Sequence, residues 1–294
     1  MSKKKNNKQP PARRPQTRSQ RPPAPDRHQD RQQERHQGGH HASQGGKSHP
    51  ALSPQSKDGY FLFGRHAVEA ALKNPNRECV RLIGLEKAIT TSGLATIRPT
   101  LKVEIVASED PLRAAVPSDS PHQGVLLEVR PLPGLALEEL TPIPGEKNIL
   151  LMLDQVTDPH NVGACLRSAA AFGARAVITQ DRHSPGESGT LARSSSGGLE
   201  VTPWVRVINL AQALETLKDM GYWHVGLDGS TDVALKDVRL GDNVVIVMGS
   251  EGHGLRPLTR KHCDAIAKIP MTGLVESLNV SNAAAIALYQ FAGL

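Results

Sequence analysis

The chain has 294 residues with a net charge of +6, 38% hydrophobic and only 3% aromatic residues, which is room for one or two ordinary domains and an appendage. Its three cysteines, Cys79, Cys165 and Cys263, are odd in number and widely spaced, so they offer neither a disulfide framework nor a zinc pattern and fit a reducing compartment. An apolar leader is missing and no run approaches the roughly 20 apolar residues of a membrane span, which reads as a cytoplasmic protein.

The charge is unevenly placed. Residues 1–57 carry 13 Lys or Arg against 3 Asp or Glu, a balance of +10, which leaves −4 for the rest of a chain totalling +6. This segment is rich in Gln, Pro, Arg and Ser and nearly free of aliphatic side chains. It cannot bury enough apolar surface to offset its ordering entropy and reads as a disordered basic tail. Such an arm attracts phosphate backbones without sequence preference. Its histidines (His28, His36, His40, His41 and His49) show no fixed ligand spacing, so no metal site is inferred.

From Tyr60 the pattern changes. In FLFGRHAVEAALKN, Val68, Ala71 and Leu72 fall at helical spacing after Gly64. CVRLIGLE, KVEIVA and GVLLEVR read as strands, so residues 58–131 are expected to form a small α/β domain. Residues 132–147 hold the prolines and glycines of a linker, with one helical turn at Leu137–Leu140.

Beyond it, NILLMLDQV is an almost wholly apolar strand of the kind found in a parallel sheet covered on both faces. NVGACLRSAAAFG is helical with Gly173 just past its end, and ARAVITQ is another buried strand. TPWVRVI, YWHVGLDG, VVIVMGS and AIAKIPM continue the strands. NLAQALETLKDMG, capped by Asn209 and ended by Gly221, Leu255–His262 and SNAAAIALYQF are the helices between and after them. Residues 148–294 are therefore expected to form a parallel sheet with helices on both faces.

Polar residues gather in three loops that follow apolar strands, where open α/β sheets bind ligands. In DQVTDPHNVGACLR only Gly163 stands where a dinucleotide fingerprint needs three glycines. Asn161 is placed to cap the helix, and Arg167 lies in its second turn. In VVIVMGSEGHGLRP, Gly249, Gly252 and Gly254 allow close backbone approach, and Glu251 stands among them; the spacing is wrong for a phosphate-binding P-loop. In IPMTGLVESLNVSNAAAIALYQF, Ser277, Asn279 and Ser281 cluster before the last helix, more than one cap requires.

Taken together these segments resemble a known family. DxxxDPxNxGxxxRxAxAFG at Asp154–Gly173, MGxExxGL at Met248–Leu255 and IPMxGxxxSLNVSxAxxIxLY at Ile269–Tyr289 are similar to the three ordered signatures of the SpoU family of SPOUT RNA 2′-O-methyltransferases. FGRHAVEAALKN and HQGVLLEV resemble its L30e-like substrate-binding domain. That domain points to the ribosomal-RNA type, which modifies a guanosine of 23S rRNA, since the tRNA type usually lacks it. The basic tail has no counterpart in the family pattern.

The resemblance implies a SPOUT parallel sheet with a trefoil knot, a homodimer packed through the knot region with some site residues from the partner, and S-adenosylmethionine as cofactor. It implies cofactor contacts at Met248, Gly249, Ile269, Met271 and Leu278, and a catalytic set of Asn161, Arg167, Glu251, Ser277 and Asn279. Arg167 is the family's activating arginine. A guanidinium with a pKa above about 12 is a poor general base, so stabilising the forming alkoxide is the better role for it, with a phosphate, Glu251 or water taking the proton. Because the folded body is slightly acidic, structured RNA needs a local basic face, for which Arg65, His66, Arg175, Arg182, His183 and Arg193 are candidates. The competing readings are a tRNA D-loop guanosine methyltransferase, a family member that binds RNA without catalysis, and a nucleotide-dependent Rossmann-like enzyme. The second predicts damaged motifs and the third a glycine fingerprint; the chain has neither.

Overall fold

The computed structural model describes residues 52, 55–118, 120–252 and 254–293. The basic tail, including its histidines, lies outside the described residues up to position 51. Its last positions are tied down: Leu52 packs against a buried cluster with Phe63 and Ile83, and the Ser56 amide donates to Glu128 Oε1 at 2.6 Å.

A first sheet is built from β1 (Tyr60–Phe63), β2 (Cys79–Leu85), β3 (Lys102–Val106) and β4 (Val125–Val129), in the order β1-β4-β2-β3. β4 runs antiparallel to β1 and β2, while β2 and β3 are parallel. Between them lie α1 (Arg65–Lys73), α2 (Glu86–Ser92), α3 (Leu94–Ile97) and α4 (Asp110–Ala114). The face of α1 that repeats at helical spacing, Ala67, Val68, Ala71 and Leu72, is the face it buries. The single helical turn read at Leu137–Leu140 is a 3-10 turn.

The second sheet is six-stranded and wholly parallel. Its strands are β5 (Asn148–Leu153), β6 (Ala176–Gln180), β7 (Trp204–Val207), β8 (Trp223–Leu227), β9 (Asn243–Met248) and β10 (Ala265–Ala267), in the order β10-β8-β9-β5-β6-β7. The helices are α5 (Pro159–Ala171), α6 (Gly189–Ser195), α7 (Gly198–Val201), α8 (Leu210–Asp219), α9 (Pro257–Lys261) and α10 (Val280–Ala292). The apolar run of β5 serves both faces. Ile149, Leu151 and Leu153 join a core with Val162, Leu166, Ala284 and Leu288 of α5 and α10, while Leu150 and Met152 join Leu210, Leu214 and Leu217 of α8 on the other side. Alternation with period two makes this unavoidable once both faces are covered. Among the described residues no helix is long and apolar enough to cross a membrane.

Several local readings change. The side chain that caps α5 is Asp158, which accepts from the His160 amide, and Asn161 sits inside the first turn, free for another partner. Pro159 explains the shift: proline suits the first helical position because it has no amide to satisfy. The strand read as AIAKIPM closes after Ala267, because Lys268 N turns to Val233 O at 2.8 Å and Pro270 follows. The helix read over Leu255–His262 is confined to Pro257–Lys261. Helices α6 and α7 were not legible. Their Gly- and Ser-rich sequence has low helix propensity, and tertiary contact sets them: a methyl group at Gly189 would lie 2.3 Å from Phe61 O on β1.

Candidate active site

A cleft of about 610 Å³ opens at the carboxyl ends of β8 and β9 and the start of α10. Four stretches line it: Leu227–Gly229, Met248–Gly252 with Gly254, Lys268–Ile269 with Met271, and Glu276–Val280. This is where an open parallel sheet places a ligand. A larger cleft of about 770 Å³ lies between residues 131–135 and the α7–β7 corner. Its charged groups are already committed: Glu187 and Glu200 to Arg77, and Arg206 to Asp181.

The loop after β9 is shaped by its glycines. A methyl group at Gly249 would lie 2.1 Å from the Gly254 carbonyl carbon, so no side chain fits there. Gly252 and Gly254 adopt φ of 82° and 64°, a region costly for residues with a Cβ. The Gly254 amide closes the turn on Ser250 O at 3.0 Å. The loop is anchored from beneath by Asp154, fully buried at the end of β5. Its carboxylate accepts from Arg256 Nε at 2.7 Å, and its amide donates to Met248 O at 2.7 Å.

Asn279 joins the three loops. Its Nδ2 donates to Glu251 Oε1 at 2.6 Å and to Asn161 Oδ1 at 2.9 Å. Its Oδ1 accepts from the Ser281 amide at 2.9 Å, which caps α10. Glu251 Oε1 also accepts from the Val280 amide at 3.2 Å, so the carboxylate sits at the positive end of the helix. One amide side chain thereby fixes residues 161, 251 and 279, which are far apart in the chain.

The residues expected to contact a cofactor, Met248, Gly249, Ile269, Met271 and Leu278, all line this one cleft, and so do Glu251, Ser277 and Asn279. Asn161 reaches it through Asn279. Arg167 does not: it is exposed two turns along α5 and, among the described residues, its side chain meets no hydrogen-bond partner. Sequence reasoning missed Asp154 and Arg256, the supports of the glycine loop, although an Asp closing an apolar strand is itself a signal. It also missed Asp228 on the cleft wall. Burial alone would raise the Asp228 carboxyl, but hydrogen bonds from Ser230 and the Arg260 guanidinium outweigh it and hold the pKa below the ordinary value. Asp228 is therefore a fixed negative charge beside the cleft.

Comparison with known proteins agrees with this geometry. Residues 148–289 match the model of the SpoU rRNA Methylase family, and residues 61–134 match that of the RNA 2′-O ribose methyltransferase substrate-binding region. The 23S rRNA (guanosine-2′-O-)-methyltransferase RlmB of Xylella fastidiosa is 39% identical over 241 residues, covering 80% of this chain and 96% of the relative. RlmB of Pseudomonas aeruginosa is 39% identical over 239 residues, covering 78% and 94%. Among solved structures, the SpoU methyltransferase AviRb from Streptomyces viridochromogenes in complex with AdoMet superposes with a TM-score of 0.68 at 25% identity, over 80% of this chain and 90% of that one. An RNA 2′-O ribose methyltransferase superposes with a TM-score of 0.68 at 26% identity, over 80% and 88%. Identity of 39% with near-complete coverage of the relatives, with two signature loops lining one cleft and the first joined to it by Asn161, shows that this chain belongs to the SpoU rRNA methylase family.

Proposed function

We propose that this protein is an S-adenosylmethionine-dependent methyltransferase acting on the ribose 2′-hydroxyl of a guanosine in 23S rRNA. The observation that carries this reading is the Asn279 hub, which binds Asn161 and Glu251 at the mouth of the cleft. The relatives named above act on a 23S rRNA guanosine, and the extent of the match supports the same substrate here. The small sheet favours this over a tRNA D-loop guanosine, and the intact set Asn161, Arg167, Glu251, Ser277 and Asn279 favours catalysis over RNA binding alone.

The cleft suits a nucleoside-sized cofactor. Its volume falls in the range of small-molecule sites, its walls are Leu227, Met248, Ile269, Met271 and Leu278, and its glycine loop presents bare backbone. When bound, S-adenosylmethionine supplies an electrophilic methyl group. Met248, Gly249, Ile269, Met271 and Leu278 would hold it, and the protein's own task is to position the ribose and steady its oxygen. Asn161, Ser277 and Asn279 orient the ribose by hydrogen bonds. Arg167 stabilises negative charge on the 2′-oxygen as its proton leaves. The acceptor is Glu251, an RNA phosphate or water; Glu251 Oε1 is occupied by Asn279 and Val280, which leaves Oε2 free.

The exposed position of Arg167 is explained by a homodimer in which it serves the partner's cleft. Exposed Leu274, Val275, Ile286 and Tyr289 supply the apolar surface for that contact around α10. The chain leaves β10 at the sheet edge, yet α10 returns to pack on α5, β5 and β9, which supports a trefoil-knotted SPOUT core. The functional division we infer is an RNA-binding domain at 58–131, a linker at 132–147 and a methyltransferase domain at 148–294, acting in the cytoplasm. Arg167→Ala is expected to abolish methyl transfer while S-adenosylmethionine binding, read by calorimetry, survives. Near-normal turnover in a radiolabelled-methyl assay contradicts the role given to Arg167.

A further inference from the structure

The six basic residues named above as RNA contacts divide once they are placed. Arg175 is structural: its guanidinium donates to Thr141 O at 2.8 Å, Asn148 Oδ1 at 3.0 Å and Tyr222 OH at 3.2 Å, pinning the segment before β5. Arg182 and His183 sit on the turn after β6. Arg65, His66 and Arg193 converge. A methyl group at Gly64, the residue before Arg65, would lie 3.6 Å from the Arg193 side chain of α6.

We propose that the seam between α1 of the small sheet and the α6–α7 corner of the large one, bordered by Arg65, His66, Arg193 and Ser196, is a track for the RNA backbone leading to Arg167. The proposal rests on the RNA methyltransferase reading and adds where the strand runs. A cleft of about 470 Å³ follows this seam, lined by His66 and Lys73 on one side and Ser196 and Val201 on the other. Gly163 brings α5 against α6, since a methyl group there would lie 2.5 Å from Leu191 O. Its neighbours at helical spacing, His160 and Arg167, share the α5 face turned to α6, and His160 Nδ1 lies 3.0 Å from Ser194 Oγ. A methyl group at Gly198 would lie 2.9 Å from Arg167 Cα, so the α7 end of the seam abuts that arginine.

Charge argues for a polyanion. Among the described residues, Arg65, Arg167, Arg182 and Arg193 are the arginines whose side chains make no hydrogen bond or ion pair, and three of those four border this surface. The acids of the seam are neutralised: Glu69 pairs with Lys73 at 2.6 Å and Glu200 with buried Arg77 at 2.7 Å. Outside the tail the chain is net acidic, so this grouping is not the by-product of a generally basic surface. Ser196 adds a second signal. It holds φ 51° and ψ 37°, a left-handed conformation uncommon for residues with a side chain, and its hydroxyl has no partner among the described residues.

The two sides of the seam move together because a buried cluster joins them. Arg77, from the loop before β2, donates to Glu187 at 2.5 Å and to Glu200 at 2.7 Å, and Tyr60 OH donates to Glu187 at 2.6 Å. The seam thus presents one continuous face to the RNA.

The test is filter binding of protein-free 23S rRNA to the full chain over a series of salt concentrations, with S-adenosylmethionine binding measured in parallel. Arg65→Ala and Arg193→Ala are each expected to weaken RNA binding about tenfold and to lower the salt slope by about one, as the loss of one phosphate contact does. Cofactor affinity should stay unchanged in both, and Arg182→Ala should bind RNA as the native chain does. RNA affinity and salt slope unchanged in Arg65→Ala and Arg193→Ala overturn the track while leaving the methyltransferase reading intact, provided the native chain methylates the RNA. Failure of the native chain to methylate it defeats both.

Discussion

A single methyl group decides whether the glycine loop can exist at position 249. Its Cβ would sit inside van der Waals contact with the Gly254 backbone, and backbone has nowhere to retreat when Asp154 and Arg256 hold the loop from below. Gly249→Ala is therefore expected to lose S-adenosylmethionine affinity by more than tenfold and stability by about 1–3 kcal/mol, the usual range for overpacking. Cofactor binding equal to that of the native chain, measured by calorimetry, contradicts this account. The importance of such residues was legible in the sequence as pattern, not as geometry. Gly249, Glu251 and Asn279 stood out as polar or glycine positions after apolar strands, but that Asn279 bonds Asn161 and Glu251 together depends on contacts across 118 and 28 residues. Spacing alone gives Asn161 only a local role, as a helix cap, and Asp158 fills that role; its place in the candidate site follows from the resemblance.

Strong periodicity predicts helices and strands that the structure contains. α8 has both its expected punctuation marks: Asn209 accepts from the Ala211 amide at 3.0 Å, and Gly221 takes φ 93° beyond its end. The cap alone stabilises by about 1 kcal/mol. α6 and α7 escaped notice because their stability comes from packing on β1 and α5, which no local propensity records. β8 carries an element-scale consequence. His224 is wholly buried, Nδ1 lies 3.0 Å from His262 O, and Nε2 has no partner among the described residues. Burial lowers its pKa below the ordinary 6.5, and Lys218 and the charge of His262 add to this; the His262 carbonyl and Asp264 oppose it without prevailing. Below pH 6.5 the unfolded chain takes up a proton that the folded chain resists, so this contribution to stability is complete above 6.5 and is lost as pH falls through the folded value. His224→Phe should give a shallower fall in melting temperature between pH 7 and pH 5 than the native chain, whatever its absolute stability. Parallel curves for the two proteins contradict the assignment.

At the scale of the whole molecule, the charge is divided between a strongly basic tail and a mildly acidic body. Three of the four arginines without a side-chain partner among the described residues border the seam between the two sheets, and the cleft proposed for the methyl donor opens at the ends of β8 and β9. The Arg77 cluster that closes the seam was invisible in the sequence, because Tyr60, Arg77, Glu187 and Glu200 become neighbours only when the small sheet docks. An arginine with no exposed side-chain surface is held there by two carboxylates, and removing either partner of such a pair costs about 3–5 kcal/mol. The two-sheet architecture is legible from alternating apolar runs and a proline-rich break; the docking of the sheets is not, since the apolar side chains that join them, such as Leu62, Val68 and Leu191, and the Arg77 cluster beside them meet only in the folded chain. The most direct measurement is to incubate the full chain with S-adenosylmethionine and protein-free 23S rRNA or tRNA and to map ribose methylation at nucleotide resolution. A new 2′-O-methyl mark on a 23S rRNA guanosine, absent with Arg167→Ala, is the predicted result. Methylation of a base, of a tRNA D-loop guanosine alone, or of no nucleotide would contradict it.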